Sequence, residues 1–211
     1  MVNDIRIDTS KLHPLLKLYL ENIIKYSNEE GIYLIVTAGL RTAEEQDKLY
    51  AQGRTTGIIG QTVTNAKGSD YQSQHQWGIA FDIAIANKGH TWDVAYFKKV
   101  AEIAKKHCKY IGWGGDWKKP VDNPHFYLDK WGCTTYNLKL KYKNPDTFMK
   151  TFKKKVTGTK KGLSIWNKRK TKRLTKKYPN GSNFKILSEG IIWDHVYYKG
   201  TYGWALKKYL K

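Results

Sequence analysis

The chain has few cysteines, few acidic residues and no long apolar run. Its two cysteines, Cys108 and Cys133, are too few for a disulfide framework and fit synthesis in a reducing cytosol, although one bridge between them stays open. The opening segment MVNDIRIDTSKLHPLL has charges where a secretion signal needs an apolar core, so we expect no signal peptide. No apolar run is long enough to cross a bilayer, so we expect no membrane insertion.

The scarcity of acidic residues is uneven. The formal net charge is +20, and residues 151–211 carry 17 Lys and Arg against two acidic residues, while residues 1–150 carry 21 against 16. Two compositions in 211 residues predict two domains, with a boundary near residues 141–155. A strongly positive field favours polyanions, which include nucleic acid, an anionic membrane and an acidic cell-wall polymer, and charge alone does not choose among them.

The hydrophobic pattern predicts helices and strands in irregular order, which favours an α+β fold over a doubly wound parallel sheet. The first helix covers residues 11–26, and Thr42 and Glu45 have capping-box spacing for a short second one. In the third, residues 91–107, we expect Val94 and Phe97 to face inward. The predicted strands are residues 32–40, 78–85 and 123–128.

The segment SQHQWGIAFD (73–82) places a histidine before a strand and an aspartate within it. Side chains alternate along a strand, so Asp82 shares a face with Ala80 and Ala84, while Ile79, Phe81, Ile83 and Ile85 form the core face. Small neighbours leave room above Asp82, and a buried carboxylate without a partner is costly. A metal ion would satisfy it, and His75 can reach the same point.

A catalytic zinc site usually has three protein ligands and one open position. The segment VDNPHFYL (121–128) offers His125 as the third ligand, with Asp122 three residues earlier to take a proton from water. From the residues alone a structural histidine remains an equal alternative. Asp116 competes with Asp122 for the role of base.

Four segments, in order, resemble the LAS metallopeptidases, named after lysostaphin, the D-alanyl-D-alanine peptidases and sonic hedgehog. SQHQWGIAFD resembles their S-x-H-x-x-G-x-A-x-D motif, and VDNPHF resembles their D/E-x-x-H motif. WGGDW (113–117) resembles a segment of the L-alanyl-D-glutamate endopeptidases of phage lysins and related bacterial wall enzymes. TAGLRTAEEQDKLYAQGRT (37–55) resembles the family's G-x-R-S/T…Q…L-Y segment. The resemblance implies a small antiparallel sheet with flanking helices, as in D-Ala-D-Ala peptidases and hedgehog.

The same resemblance implies a role for each matching residue. It makes His75, Asp82 and His125 the ligands of Zn²⁺ and Asp122 the general base. Arg41 matches the family arginine that binds substrate and stabilises the oxyanion. Ser73 matches the motif serine and is expected to bind substrate, with a turn cap as the alternative.

The C-terminal part has short strand-like pieces separated by Gly, Asn and Pro, which predict a small all-β barrel. Its end, W-x-x-V-x-Y-x-G-x-x-G-W-x-x-x-x-Y-L from Trp193 to Leu210, resembles bacterial SH3-like wall-binding domains. The first strand, SIWNKRKTKR, departs from the usual pattern. We therefore divide the chain into a zinc peptidase domain (1–145), a linker (146–156) and an SH3-like domain (157–211).

Taken together, these features predict an endolysin that hydrolyses the L-Ala–D-Glu bond of the peptidoglycan stem peptide. Its partners are peptidoglycan and acidic wall polymers, and we expect no nucleic-acid binding. It would be made in the cytoplasm and act on the wall after release, through a holin if it is a phage protein. The alternatives are a D-alanyl-D-alanine carboxypeptidase or dipeptidase, a wall-binding protein without activity, and a basic nucleic-acid-binding protein.

Overall fold

The computed structural model describes residues 4–5, 7–54, 61–130, 135–167 and 172–211, with only the backbone at 4–5. It divides into two compact units, residues 1–12 with 16–148, and residues 13–15 with 149–211. No helix among the described residues combines the length and apolar character that a bilayer crossing needs.

The first unit is a mixed α/β structure whose sheet is almost entirely antiparallel. Its strands are β1 (Asp4–Ile5), β2 (Leu34–Ala38), β3 (Ala80–Ile85), β4 (Ile111–Trp113) and β5 (His125–Leu128). Their order in the sheet is β1-β2-β3-β5-β4, and only β1 and β2 pair in parallel. The helices are α1 (Pro14–Glu29), α2 (Ala43–Ala51), α3 (Val94–His107), α4 (Thr135–Tyr142) and α5 (Pro145–Lys150).

Local chemistry explains where these helices begin. Pro14 suits the first position of α1, where its missing N–H is not needed. Thr42 and Glu45 form the predicted capping box of α2. The inward placement predicted for Val94 is wrong, because this first residue of α3 lies at the helix end and is 45% exposed. Phe97, one turn later, is buried as predicted.

Strand β3 has the predicted division of its faces. Phe81, Ile83 and Ile85 are fully buried, and Ile79 just before the strand is nearly so. On the other face Asp82 lies between Ala38 of β2 and His125 of β5. The sheet therefore places Asp82, at the end of the motif of residues 73–82, directly beside His125 of the motif of residues 121–128.

The second unit is built on an antiparallel sheet of four strands, in the order β6-β7-β8-β9. These are β6 (Lys153–Lys155), β7 (Asn183–Ser188), β8 (Trp193–Tyr198) and β9 (Thr201–Leu206). The buried core is formed by Val156, Leu163, Ile165, Phe184, Ile186, Val196, Ala205 and Leu210. Residues 146–156, predicted as a linker, contain most of α5 and all of β6.

The two cysteines have different outcomes. Cys108 is a buried free thiol, and burial raises its pKa to about 12, so it is an unreactive packing residue. Cys133, the other cysteine of the alternative disulfide bridge, lies outside the described residues.

Candidate metal and catalytic site

His75 is held by a short 3-10 turn (Gln74–Trp77) that leads into β3. Its side chain is buried, and its Nδ1 lies 2.7 Å from the carbonyl oxygen of Gly39. A carbonyl oxygen only accepts, so Nδ1 carries the proton and donates it. Nε2 is therefore the ring atom that faces Asp82, whose Oδ1 lies 3.3 Å away.

Asp82 and His125 meet because they are paired residues on neighbouring strands. His125 Nδ1 lies 2.9 Å from Asp82 Oδ1 and 3.2 Å from His75 Nε2. One ligand atom from each of the three residues lies within 4.8 Å of the other two. The structure thus converges the three residues predicted as metal ligands on one point.

The donor set fits a zinc ion. Two imidazole nitrogens and one carboxylate oxygen are ligands that Zn²⁺ prefers, and three protein ligands leave a position for water or substrate. Burial alone would raise the pKa of Asp82, but the charges and hydrogen bonds of His75 and His125 hold it well below its usual range. Asp82 is therefore an anion, as a metal ligand must be.

Arg41 reaches this point from the segment between β2 and α2. Its backbone N–H donates to the carbonyl of His75 (3.3 Å), and its guanidinium lies 4.0 Å from the Asp82 carboxylate. The guanidinium also donates to Gln46 Oε1 at 2.7 Å. Gln46 is fully buried and donates in turn to the carbonyl of Ala66 at 2.9 Å. A rigid partner thus holds the cation beside the cluster.

Asp122 lines the same cleft and has a distinctive electrostatic environment. Burial raises the pKa of its carboxyl, the negative charge of Asp82 adds to the rise, and the positive groups His125, His75 and Arg41 oppose it. A carboxyl whose pKa is moved towards neutrality is a better proton acceptor and donor in a general-base cycle.

The position of Asp122 depends on the glycines of WGGDW. The carbonyl of Gly114 accepts the backbone N–H of Asp122 at 3.0 Å. A Cβ atom at Gly114 would lie 2.4 Å from the Asp122 carbonyl oxygen and 3.1 Å from Cβ of His125. Only glycine allows these segments to approach so closely.

The remaining candidates from the sequence, Ser73 and Asp116, have different surroundings, and Trp117 lies beside a candidate metal ligand. Ser73 is buried, lines the cleft and begins the 3-10 turn, where its backbone N–H donates to Gln76 Oε1 at 3.2 Å. Asp116 is half exposed and forms a 2.7 Å ion pair with Lys105, so it does not share the environment of Asp122. Trp117 packs its ring 5.1 Å from that of His125.

Sequence reasoning assigned no role to two glutamines whose side chains contact Arg41 and the candidate metal ligand His125. Gln46 orients Arg41, and Gln74 Oε1 lies 2.7 Å from His125 Nε2. Gln46 lies within the segment TAGLRTAEEQDKLY and Gln74 within SQHQW, so both were inside the quoted motifs. Amide side chains have no characteristic metal-ligand spacing, and their partners became visible only in the fold.

These residues line one cleft of about 610 Å³, large enough for a peptide segment. The residues lining it include His75, Asp82 and His125 together with Asp122 and Arg41. Trp117, Tyr136 and residues 63–66 also line it. The cluster of candidate metal ligands therefore faces this cleft.

Comparison with known proteins places these features in a wider context. A family model of the M15 peptidases, described as D-alanyl-D-alanine carboxypeptidase, matches residues 67–128. The peptidoglycan L-alanyl-D-glutamate endopeptidase CwlK of Bacillus subtilis is 38% identical over 130 residues, which cover 56% of this chain and 74% of that protein.

Two further relatives have related descriptions. The L-alanyl-D-glutamate peptidase of Listeria phage A118 is 28% identical over 131 residues, 61% of this chain and 42% of the phage protein. The chain thus spans less than half of the phage relative. The crystal structure of the L-Ala D-Glu endopeptidase ChiX of Serratia marcescens has a TM-score of 0.44 and 25% identity, with 57% of this chain and 83% of that chain covered.

Proposed function

This chain belongs to the M15 peptidase family, and we propose that it hydrolyses the L-alanyl–D-glutamate bond of the peptidoglycan stem peptide with a zinc ion as cofactor. The observation that carries the proposal is the convergence of His75, Asp82 and His125 in a cleft that also contains Asp122 and Arg41. The similarity to CwlK, which is named for this activity, supports the choice of bond.

In this mechanism His75, Asp82 and His125 would hold the zinc ion, which would act as a Lewis acid and lower the pKa of water. Asp122 takes a proton from the attacking water and later gives it to the departing amine of D-glutamate. Arg41 binds the substrate and stabilises negative charge that develops on the scissile carbonyl oxygen. Ser73, at the wall of the cleft, binds the substrate backbone.

The identity of the bond has a second candidate. The matching family model is described as a D-alanyl-D-alanine carboxypeptidase, and the three-ligand cleft suits either bond. In the resembling enzymes a Glu base is usual for D-Ala-D-Ala cleavage and an Asp base for L-Ala–D-Glu cleavage. Asp122 and the similarity to CwlK therefore favour the endopeptidase.

For the C-terminal part we propose a wall-binding domain of SH3-like type, residues 157–211, joined to the peptidase domain 1–145 through residues 146–156. Strands β7, β8 and β9 and most of the apolar core come from residues 157–211, while β6 and Val156 are contributed by residues 146–156, and together they support an all-β module. Binding of this domain to peptidoglycan or to anionic wall polymers would raise the effective concentration of substrate at the cleft. The protein would act on the wall after release, and a phage protein would require a holin for that step.

The decisive experiment is mass spectrometry of purified peptidoglycan digested with the full chain, after labelling of new amino groups, with and without a chelator. We expect a new amino terminus on glutamate, lost on zinc removal and restored by zinc. Free D-alanine would instead assign the carboxypeptidase. Intact peptidoglycan after confirmed zinc loading would overturn the enzymatic proposal.

A further inference from the structure

The two histidines of the cluster have different partners on the side facing away from it. His75 donates its Nδ1–H to the backbone carbonyl of Gly39 at 2.7 Å. His125 has its Nε2 2.7 Å from the side-chain oxygen of Gln74. One histidine is therefore oriented by a backbone group that no substitution removes, and the other by a side chain.

The orientation of His125 matters because its Nδ1 faces the cluster, 2.9 Å from Asp82 Oδ1. A neutral imidazole carries one proton, so Nδ1 can bind a metal only when that proton is on Nε2. An acceptor at Nε2 stabilises this tautomer, fixes the plane of the ring and increases the basicity of the ligand nitrogen. Gln74 Oε1 is the acceptor in that place.

Gln74 is also the neighbour of His75 in the same 3-10 turn, Gln74–Trp77. One short turn therefore supplies one ligand directly and the outer partner of another ligand, which is 51 residues away from Gln74 along the chain. The carbonyls of Gln74 and His75 accept from the backbone N–H groups of Ile79 and Gly78, so the turn is anchored to the start of β3.

We propose that Gln74 is a positioning residue that sets the zinc affinity of the site by holding His125 with its proton on Nε2. The proposal rests on the proposed function in requiring a zinc site at these residues. Gln74 does not act on the substrate. Its contribution is a hydrogen bond that keeps the Nδ1 atom of His125 available to the metal.

The test compares Gln74→Leu, which has similar bulk but no acceptor, with Gln74→Glu, which keeps an acceptor oxygen. Gln52→Leu, at the end of α2, is the matched control for loss of a glutamine amide outside the site. Zinc dissociation constants of the full chain are measured by competition with a chelator of known affinity. We expect Gln74→Leu to bind zinc roughly 10- to 100-fold more weakly, and Gln74→Glu and Gln52→Leu to stay near the wild type.

Proton NMR of the zinc-loaded protein gives a readout that general loss of stability would not produce. The imidazole N–H protons of His75 and His125 should both appear as slowly exchanging downfield signals. In Gln74→Leu the His125 signal should be lost or exchange rapidly, while the His75 signal, bonded to Gly39, remains as an internal reference. Should Gln74→Leu not fold, Gln74→Asn replaces it, since its shorter side chain withdraws the oxygen from Nε2.

Equal zinc affinity of wild type and Gln74→Leu, or an unchanged His125 signal in that variant, would overturn the role of Gln74 while leaving the proposed function intact. A wild-type chain that binds no zinc would overturn the proposed function and this inference with it.

Discussion

At the scale of single residues, the two candidates for the general base, Asp116 and Asp122, have clearly different surroundings. Asp122 lines the cleft, while Asp116 is half exposed and paired with Lys105. We expect Asp122→Asn to lower kcat by roughly 100-fold or more, because the amide cannot accept the proton of the attacking water. Zinc content and melting temperature should stay close to the wild type.

The matched control is Asp116→Asn in the same loop, which removes only a half-exposed ion pair and should retain full turnover. Turnover is measured on purified stem peptide, with zinc quantified in each preparation. Full activity of Asp122→Asn would show that Asp122 is not the general base. A loss of activity in Asp116→Asn but not in Asp122→Asn would assign the role of base to Asp116.

The pKa of Asp122 also predicts a pH dependence. Burial, the largest cause, raises this pKa in the metal-free protein and persists when zinc is bound, although the charge of the ion opposes it. The base works only when ionised, so activity should rise with pH through the pKa of Asp122. We expect the acidic limb of kcat/KM to have its midpoint above about 3.9, the ordinary value for Asp. Zinc content must be measured at each pH, because protonated histidines release metal. Undiminished activity down to pH 4 with zinc bound would contradict the prediction.

Residue types and spacing made His75, Asp82, His125 and Asp122 candidates, with a structural histidine as an equal alternative, and the resemblance to the LAS metallopeptidases added Arg41. Gln46 and Gln74 were not selectable in the same way. Their importance comes from the atoms they contact, Arg41 and His125, and those contacts join residues that are five and 51 positions apart.

At the scale of elements, the turn after β4 packs closely against Asp122 and against His125, the first residue of β5. Gly114→Ala would place a Cβ 2.4 Å from the Asp122 carbonyl oxygen, so the backbone of that segment must move. We expect a large loss of activity and a loss of stability of about 1–3 kcal/mol, the usual range for overpacking. Activity assays and denaturant unfolding measure the two effects.

Gly39→Ala is the informative comparison for that variant. Its added Cβ would meet the terminal Cδ1 of Ile7 at 2.5 Å, and a flexible side chain can rotate away. A smaller loss than for Gly114→Ala is therefore expected. Equal losses in both variants would show that contact with backbone is not the decisive feature.

In the second unit, strand β6 is joined to β8 through buried charges. Asp194 is fully buried, accepts the backbone N–H of Gly190 at 3.1 Å and lies 3.4 Å from Lys154 Nζ. We expect Asp194→Ala to destabilise this unit by about 3 kcal/mol, because the partners lose a buried anion. Glu189→Gln, at a half-exposed partner of the same lysine, should cost much less. Thermal unfolding followed by tryptophan fluorescence compares the variants.

The elements with strong periodicity, α1 and α3, were predictable to within about three residues at each end, since burial of one face dominates their pattern. Strand β6 was not predictable, because its sequence is Lys153–Lys155 with no apolar alternation. It becomes a strand by pairing with β7, and its lysines suit an edge that must resist further pairing. At β6, pairing with the neighbouring strand therefore outweighs the low strand propensity of three consecutive lysines.

At the scale of the whole molecule, the charge asymmetry predicts that the chain has two domains. The shift from balanced to basic composition predicted a boundary near residues 141–155, and the compact units change at residue 148. Residues 13–15 belong to the second unit, and the sequence did not indicate this, because the assignment depends on packing and not on composition.

The same charge asymmetry predicts different effects of salt on binding to cell walls and on cleavage of the stem peptide. Residues 151–211 carry 17 basic and two acidic residues, so binding to anionic wall polymers through this part should weaken as ions screen the charges. We expect affinity for purified cell walls to fall by at least about tenfold between roughly 50 and 200 mM salt, as for other polyanion complexes. Walls stripped of anionic polymers should bind more weakly and with less salt dependence.

Cleavage of a short stem peptide in solution is the internal control for this experiment. It depends on the partly buried charges of Arg41, Asp122 and the metal ligands in the cleft, where screening by salt is weaker than at exposed lysines. Peptide turnover should therefore change little over the salt range in which wall binding declines. If wall binding were unaffected by both salt and polymer removal, recognition would reside in uncharged contacts, and the basic residues of the C-terminal unit would have no part in targeting.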